Sequence, residues 1–185
     1  MKKIAITGGI ACGKSALLAE LRKLGKKCID CDDIAKSVYE MPSVRKELKQ
    51  RLGTADRHEI AKIVFRDRKK KRALEEIIQP RILRKLKREL ASAISHDLVF
   101  VEAPLLYEGC IEKLFDYVVV VRASRNMQIK RLLERGYSTE EATLRIKSQM
   151  PIRDKVRRAD LVIDGEKNKR QLKRIAKEII AKVRH

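Results

Sequence analysis

The hydrophobic positions of this chain form short, uninterrupted runs that alternate with longer stretches of helical periodicity. Five such runs predict strands over residues 2–7, 27–30, 97–102, 116–121 and 160–164. Uninterrupted runs rich in β-branched residues are typical of a parallel sheet that is covered on both faces. Because helical stretches separate the strands, the pattern predicts an α/β fold with right-handed crossover connections.

Helical spacing is clear near both ends of the chain. Four leucines predict a helix over residues 14–24, with Gly25 at its C-terminal cap position. Ser138 and Glu141 have the spacing of a capping box, which predicts the start of a helix that runs to about residue 149. The last helix is predicted to bury a face formed by Leu172, Ile175, Ile179 and Val183.

The interval between the second and third predicted strands is too long for one crossover helix. Residues 33–95 contain no strand pattern and predict a helical insertion, with helices over residues 57–65 and 72–94 among others. Pro80 is expected to break or kink the second of these helices, because proline lacks the backbone N–H that an interior helical position donates. We treat residues 1–185 as a single domain that carries this insertion.

The charge of the chain points to anionic partners. Lys and Arg number 45 against 25 Asp and Glu, which gives 185 residues a formal net charge of +20. Such a surplus suits phosphates, nucleic acid or an acidic membrane surface. Aromatic residues make up only 4% and Trp is absent, so stacking on bases has little support and nucleic acid is not an expected partner. No apolar run reaches the roughly 20 residues of a membrane helix, and we expect a soluble, cytoplasmic monomer.

A phosphate-binding motif follows the first predicted strand and opens the first predicted helix. Residues 8–15 read G-x-x-x-x-G-K-S, and the strand–loop–helix context is the one that this motif requires. Its backbone N–H groups and the helix N-terminus bind phosphate oxygens. Lys14 is expected to reach the outer phosphates of ATP, and the Ser15 hydroxyl to bind Mg²⁺. The predicted nucleotide-binding residues of this segment are Gly8, Gly9, Ala11, Cys12, Gly13, Lys14, Ser15 and Ala16.

The motif predicts a nucleoside triphosphate as ligand but does not by itself identify the reaction. The chain lacks the N-K-x-D motif that a GTPase uses to recognise its base, and it is small for a motor or a helicase. A small phosphate-loop protein with a helical insertion and an arginine-rich late segment looks like a kinase of a nucleotide or another small molecule.

Carboxylates follow the second predicted strand, where open α/β sheets bind their ligands. They are Asp30, Asp32 and Asp33. One of them could accept the proton of an attacking hydroxyl or help to hold Mg²⁺. We favour Asp32 for this chemistry and expect Asp33 to cap the helix that follows.

The third predicted strand ends in a second candidate segment. Glu102 occupies a position like that of a Walker-B carboxylate. The residues after it are predicted to line the cleft of the acceptor, although ordinary loop packing would also explain them. The residues in question are Pro104, Leu105, Leu106 and Glu108.

Together, these segments resemble the dephospho-coenzyme A kinase family. The matching stretches occur in the order of the family and extend over most of the chain. They are ITGGIACGKS at 6–15, IDCDDIA at 29–35, EAPLLYEG at 102–109, RLLERGYSTEEATLRIKSQ at 131–149 and ADLVIDG at 159–165.

The resemblance implies both a fold and a reaction. It implies a phosphate-loop kinase core with a five-stranded parallel sheet, a helical acceptor-binding insertion and a lid at residues 135–155. The implied reaction transfers the ATP γ-phosphate to the ribose 3′-hydroxyl of dephospho-coenzyme A, with Mg²⁺ as cofactor and small molecules as partners. A kinase of a nucleoside monophosphate or of another hydroxylated metabolite is the alternative, and a basic nucleic-acid-binding protein with a phosphate loop is a weaker one.

The resemblance also implies roles for residues outside the phosphate loop. Asp32 matches the second aspartate of a D-x-D pattern and is the implied general base. Arg57 matches an arginine of the helical domain and is assigned to the acceptor. Asp164 and Gly165 match the segment near the adenine pocket.

Arginines of the lid segment complete the implied site. Arg135 and Arg145 are the implied catalytic arginines, and Gln149 is assigned to the substrate. Guanidinium groups stabilise the charge of a phosphoryl group during transfer. From spacing alone, Arg131 and Arg135 are expected to share one helix face, and so are Arg145 and Gln149.

The chain departs from the family pattern at several positions. Ala11 and Cys12 stand where the family usually has Gly-Ser, Gln79 stands in place of a histidine, and Asp164 in place of an asparagine. The segment at residues 41–55 is short, which indicates a trimmed acceptor domain.

Overall fold

A parallel sheet of five strands forms the centre of the larger part of the molecule. The computed structural model describes residues 1–184, with the side chains of residues 65 and 66 left aside. Every strand begins and ends within one residue of its predicted bounds. The strands are β1 (Lys2–Gly8), β2 (Lys27–Asp30), β3 (Leu98–Glu102), β4 (Tyr117–Arg122) and β5 (Leu161–Asp164). Their order is β2-β3-β1-β4-β5 with all pairs parallel, which confirms the predicted fold class.

Nine helices occur within the described residues. They are α1 (Lys14–Lys23), α2 (Cys31–Tyr39), α3 (Pro42–Leu52), α4 (Arg57–Arg66), α5 (Arg68–Ser92), α6 (Arg125–Leu133), α7 (Thr139–Lys147), α8 (Ile152–Arg157) and α9 (Lys169–Arg184). A short 3₁₀ turn (Glu112–Leu114) precedes β4. In the part of the chain that the structure covers, we find no helix with the length and apolar character of a membrane span.

The chain divides into two units. The first contains residues 1–30 and 93–185, with the whole sheet, and the second is the helical unit, Cys31–Ser92. Helices α2, α3 and α4 each pack on α5 in the helical unit, around buried residues such as Ile34, Leu48, Ile77 and Leu86. The helical insertion predicted for residues 33–95 corresponds to this unit within three residues at each end.

The core beside the sheet is formed by α1 and α9, which pack on each other and on the strands. Ile4, Leu17, Phe100 and Val119 are buried there without exposed surface. The predicted buried face of α9 is correct at Leu172, Ile179 and Val183, but Ala176 is buried where Ile175 was expected, and Ile175 is only half-buried. The small Ala176 has no exposed surface, in agreement with the packing of α9 on α1.

Strand register brings polar residues to one edge of the sheet. Glu102, the last residue of β3, pairs with Ile6 of β1 on one side and with Asp30 of β2 on the other. The connection from β1 runs past β3 to β2, and the connection from β3 runs past β1 to β4, so these neighbouring strands send their crossovers in opposite directions. Ligands of open α/β sheets bind at such a point.

The capping box at Ser138 is present as predicted. The Ser138 hydroxyl accepts a hydrogen bond from the Glu141 N–H at 3.1 Å, and the Glu141 carboxylate accepts one from the Ser138 N–H at 3.0 Å. The resulting helix α7 ends at Lys147, two residues before the predicted end.

Helix α5 continues across Pro80, so the break, one of the two effects expected of this proline, does not occur. It also begins at Arg68 rather than at residue 72. The early start has a local cause, because the Asp67 carboxylate accepts hydrogen bonds from the N–H groups of Lys69 and Lys70 at 2.7 and 3.1 Å. Packing of α5 against three other helices keeps it continuous although Pro80 cannot donate to the preceding turn.

Replacing Pro80 by alanine is expected to stabilise the protein. Proline in a helix interior costs up to about 3 kcal/mol relative to alanine, and Pro80 is exposed, so alanine would restore the missing donor without leaving a cavity. Chemical denaturation of Pro80→Ala beside Gln79→Ala, its exposed neighbour, measures this. A lower stability of Pro80→Ala would show that the helix depends on the proline.

Candidate active site

The phosphate loop lies between β1 and α1 and has the backbone that its sequence requires. Gly13, which precedes α1, has a φ of 99°. Ala11 has a φ of 57°, in the left-handed region that glycine adopts without cost and that costs an L residue about 1–2 kcal/mol. The left-handed backbone explains why a glycine suits the position of Ala11. Ala11 adopts this backbone despite its Cβ.

Lys14 places its ammonium group against the backbone of the phosphate loop. Its side chain is buried, and its Nζ donates to the Gly9 carbonyl at 2.9 Å and to the Gly8 carbonyl at 3.4 Å. These bonds hold the ammonium group beside the backbone that is expected to surround the phosphates. Contact of Lys14 with the outer phosphates stays a prediction.

Ser15 and Glu102 come together at the end of the sheet. The Ser15 hydroxyl donates to a carboxylate oxygen of Glu102 at 3.0 Å, and Glu102 is buried. A hydroxyl and a carboxylate are hard oxygen ligands of the kind that Mg²⁺ prefers when phosphates and waters supply the remaining positions. These two residues therefore fit a magnesium ion.

Helix α6 supports the phosphate loop with two side chains. Gln128, which is only 5% exposed, donates from Nε2 to the Ile10 carbonyl at 2.7 Å and to the Cys12 sulfur at 3.2 Å. Arg131 donates to the Ala11 carbonyl and to the Gly165 carbonyl, both at 2.9 Å. Sequence reasoning missed Gln128. Its spacing of four residues from the buried Leu132 was the available signal that it faces inward.

The Cys12 thiol is part of this packing. Burial raises the pKa of Cys12, and the positive charge of Lys14 offsets only part of that rise. The thiol therefore stays protonated at neutral pH, and its reactivity is low, because the thiolate is the reactive form.

Gly165 lies against the phosphate loop, whereas Asp164 makes its contacts within its own turn. A Cβ at Gly165 would overlap the carbonyl oxygen of Cys12. The Asp164 carboxylate accepts a hydrogen bond from the Glu166 N–H at 3.0 Å and pairs with Lys167 at 3.2 Å. The hydrogen bond from Glu166 is the main reason that the pKa of Asp164 is lowered.

The four residues that were predicted to line the acceptor cleft, in the segment after β3, differ in their exposure and in their contacts. Leu105 is 53% exposed, whereas Leu106 has no exposed surface and packs inside. The Glu108 carboxylate accepts hydrogen bonds from Lys155 and from the Met150 N–H, the latter at 2.9 Å. Burial raises the pKa of Glu108, but these hydrogen bonds outweigh it and lower the pKa below its usual value. Leu105 is thus the side chain of this segment best placed to touch a substrate, with the half-buried Pro104 beside it.

The predicted helix faces of the lid segment are wrong. Helix α6 ends at Leu133, so Arg135 lies in the following turn with an exposed side chain and not on the face of Arg131. Gln149 likewise lies beyond the end of α7, and its Oε1 accepts a hydrogen bond from the Ile10 N–H of the phosphate loop at 2.7 Å. The chain leaves both helices earlier than spacing alone suggested.

Arg145 lies on α7 with a defined contact. Its guanidinium group stacks 4.3 Å from the centre of the Tyr137 ring, and the side chain is half-buried. A cation–π contact of this kind limits the rotamers of a long side chain. Arg145 is therefore held in place rather than freely solvated.

Two predicted site residues belong to the helical unit. Asp32 is the second residue of α2 and is exposed. Asp33 is the third residue of the same helix, where it pairs with Lys36 at 2.9 Å, so the prediction that it precedes and caps the helix is wrong. Arg57 begins α4, and its guanidinium group lies 4.9 Å from the centre of the Tyr39 ring.

Arg57 also borders a cleft inside the helical unit. The cleft has a volume of about 460 Å³, and its charged lining residues are Glu40, Arg45, Lys49, Asp56 and Arg57. Three cations against two carboxylates give the cleft a slight preference for an anionic group.

Replacing Gly165 by alanine is expected to damage the phosphate loop. The added methyl group would push the Cys12 carbonyl, at a cost of about 1–3 kcal/mol for overpacking. Nucleotide affinity should fall by about tenfold or more, because even about 1.4 kcal/mol of lost binding energy has that effect. Thermal melting and titration with a fluorescent nucleotide measure the two effects.

The matched control for Gly165→Ala is Gly25→Ala. Gly25 has a φ of 72° and open space around its Cα, so alanine there strains the backbone after α1 without touching the loop. We expect it to lower stability and leave nucleotide binding unchanged. If Gly165→Ala binds nucleotide as tightly as Gly25→Ala does, the role given to Gly165 is wrong.

Comparison with known proteins assigns the chain to a family. Residues 2–171 match the dephospho-CoA kinase family. A dephospho-CoA kinase of Bacillus cereus is 37% identical over 175 residues, which cover 88% of each chain.

Solved structures give the same result. A Thermus thermophilus protein superposes with a TM-score of 0.87 at 34% identity, covering 98% of this chain and 97% of that one. A dephospho-CoA kinase from Campylobacter jejuni has a TM-score of 0.73 at 26% identity, covering 99% and 98% of the two chains. A shikimate kinase from Bacteroides thetaiotaomicron, with a TM-score of 0.57 at 14% identity over nearly the full length of both chains, shares the fold. With its phosphate loop, its sheet order and a match over nearly its whole length, the chain belongs to the dephospho-CoA kinase family.

Proposed function

We propose that this protein transfers the γ-phosphate of ATP to the ribose 3′-hydroxyl of dephospho-coenzyme A, giving coenzyme A and ADP. The observation that carries the proposal is the folded phosphate loop, with Lys14 and Ser15 in place, in a chain that matches the family over residues 2–171. We expect the enzyme to act as a cytoplasmic monomer, and these two points stay predictions.

The donor side of the reaction is built around the phosphate loop. Backbone N–H groups of the loop and the N-terminus of α1 bind the phosphates of ATP. Lys14 adds a positive charge next to the outer phosphates, where negative charge shifts towards the leaving group during transfer. Gln128 and Arg131 donate to the carbonyls of Ile10 and Ala11 and so hold the backbone of the loop in place.

Ser15 and Glu102 would hold magnesium at this site. The Ser15 hydroxyl would bind the ion directly, and the buried carboxylate of Glu102 would orient that hydroxyl. When bound, the ion neutralises charge on the β- and γ-phosphate oxygens.

Arg145 and Arg135 are proposed to stabilise the charge of the transferring phosphoryl group. Stacking on Tyr137 orients the Arg145 guanidinium before substrate arrives, which reduces the entropy lost on binding. Arg135 lies in the turn after α6, where its exposed side chain is accessible to a bound phosphate.

Individual residues are proposed to contact the acceptor on the basis of their chemistry. Leu105 offers an exposed apolar side chain, and Arg57 offers a cation for an anionic group of the acceptor. Asp32 is the proposed general base, since a ribose hydroxyl is a poor nucleophile until a carboxylate accepts its proton. Gly165 and the turn at Asp164 are proposed to lie beside the adenine of ATP.

A coupled assay that detects ADP, with ATP and a panel of acceptors, tests the proposal directly. Dephospho-coenzyme A is expected to give the highest kcat/KM. Faster turnover with a nucleoside monophosphate or another hydroxylated metabolite would favour the alternative kinase.

Replacing Lys14 by alanine is expected to abolish transfer without unfolding the protein. The loss in kcat should be at least about 10²-fold, the usual effect of removing one preorganised charge donor. Thermal melting should change little, because Lys14 serves charge rather than apolar packing. Lys23→Ala, on the exposed side of the same helix, is the control. Near-normal turnover in folded Lys14→Ala would contradict the assignment of the loop.

Replacing Asp32 by asparagine is expected to lower kcat by about 10²–10⁴-fold, the usual share of general base catalysis. Asparagine keeps the size of the side chain but removes the proton acceptor. ATP affinity should stay unchanged, because the phosphate loop supplies it. Asp33→Asn, one residue along the same helix, is the matched control, and its ion pair with Lys36 is exposed. Normal turnover in Asp32→Asn with a loss in Asp33→Asn would assign the base to Asp33.

A further inference from the structure

Lys155 on α8 is a buried cation whose role is not explained by the fold alone. Its side chain has no exposed surface. Its Nζ donates to the Pro104 carbonyl at 2.7 Å and lies 2.8 and 3.1 Å from the two carboxylate oxygens of Glu108. Burying a charged pair costs several kcal/mol per ion and often stabilises no more than apolar residues of the same volume would. Stability alone therefore does not explain the presence of Lys155 and its partner Glu108.

The acceptors of Lys155 belong to the segment that runs out of the sheet beside the phosphate loop. The Pro104 carbonyl that accepts from Lys155 also accepts from the Thr7 hydroxyl at 3.4 Å, and Thr7 is the penultimate residue of β1. Lys155 therefore fixes the start of the post-β3 segment, defined as residues 104–108, against the strand that leads into the phosphate loop.

The same pair, Lys155 and Glu108, also holds the lid segment at Met150. Glu108 accepts from the Met150 N–H as well as from Lys155. One residue earlier, Gln149 accepts from the Ile10 N–H of the phosphate loop. The chain that returns from α7 is thus attached at two adjacent residues.

A second set of contacts fastens the other end of α8. The Tyr107 hydroxyl donates to the Arg158 carbonyl at 2.9 Å, and the Arg158 guanidinium lies 4.1 Å from the centre of the Tyr107 ring. Arg158 also pairs with Glu112. Pro104 and Tyr107, before and after Leu105 in the chain, are thus both held by contacts. Leu105 is the exposed apolar side chain of the post-β3 segment.

We propose that Lys155 and Glu108 are positioning residues for the acceptor: the buried pair fixes the post-β3 segment so that Leu105 faces the substrate, and it anchors the lid segment at Met150. The inference rests on the proposed function, because the acceptor is the ligand that the segment would contact. It assigns Glu108 to this support and not to direct contact with substrate.

The pair should therefore affect the acceptor more than ATP. The phosphate loop has its own supports, Gln128 and Arg131, which do not involve Lys155. A displaced post-β3 segment would misplace the acceptor while the nucleotide stays bound. Displacements near 1 Å at positioning groups can cost about 10²-fold in rate, so the kinetic effect can exceed the effect on stability.

The test is steady-state kinetics of Lys155→Met in the full chain. Methionine fills the space of the lysine stem and removes the charge, and Glu108, at 23% exposure, keeps access to water and to the Met150 N–H. We expect KM for dephospho-coenzyme A to rise by about tenfold or more, while KM for ATP changes by less than about twofold. Lys182→Met, an exposed lysine of α9, removes the same charge and is expected to change neither constant.

The double variant Lys155→Met/Glu108→Gln separates positioning from stability. It leaves no buried charge without its partner, so we expect it to melt higher than Lys155→Met, and it decides the question if the single variant does not fold. The KM for the acceptor should remain raised in the double variant. A wild-type KM for the acceptor, or an equal rise in both KM values, would overturn the positioning role and leave the proposed reaction intact. Failure of the parent enzyme to phosphorylate dephospho-coenzyme A would instead reject the proposed function.

Discussion

Contact between the backbone of Gly165 and the carbonyl of Cys12 sets the geometry on which the nucleotide site depends. The turn after β5 can approach the phosphate loop this closely only because residue 165 has no Cβ. Arg131 then joins the same two elements by donating to Ala11 and to Gly165. Gln128 also donates to the Ile10 carbonyl, so α6 fixes two carbonyls of the loop backbone. The conformation of the loop therefore relies on side chains that lie outside it.

Two buried lysines show how a chain of net charge +20 uses positive charge inside the protein. Lys14 and Lys155 both donate to backbone carbonyls, of Gly9 and of Pro104, at the carboxyl edge of the sheet. Lys14 is proposed to serve the donor nucleotide, and Lys155 is proposed to fix the segment at residues 104–108. Each is placed by a local helix, α1 or α8, so the sheet edge receives directed charges rather than a diffuse positive field.

Part of this arrangement could be predicted from sequence because its causes are local. The five strands follow from uninterrupted apolar runs, and the start of α7 follows from the spacing of Ser138 and Glu141. The errors have local or tertiary causes that pattern reading weighed wrongly. Asp67 starts α5 early, packing carries the helix through Pro80, and α6 ends before Arg135, so that helical spacing no longer applied there.

The sequence by itself determined the fold class and the phosphate loop, because each depends on a contiguous motif or on a short period of hydrophobic residues. It indicated the reaction through several separate segments that together resemble one family. Only the tertiary structure decided which side chains of the site support others and which are exposed. Leu105 and Leu106 are adjacent and chemically alike, yet one is exposed and the other buried. Gln128 and Lys155 reach partners that lie 118 and 47 or more positions away along the chain. No local pattern carries that information, because the energy of a buried hydrogen bond depends on which distant backbone group the fold brings to it.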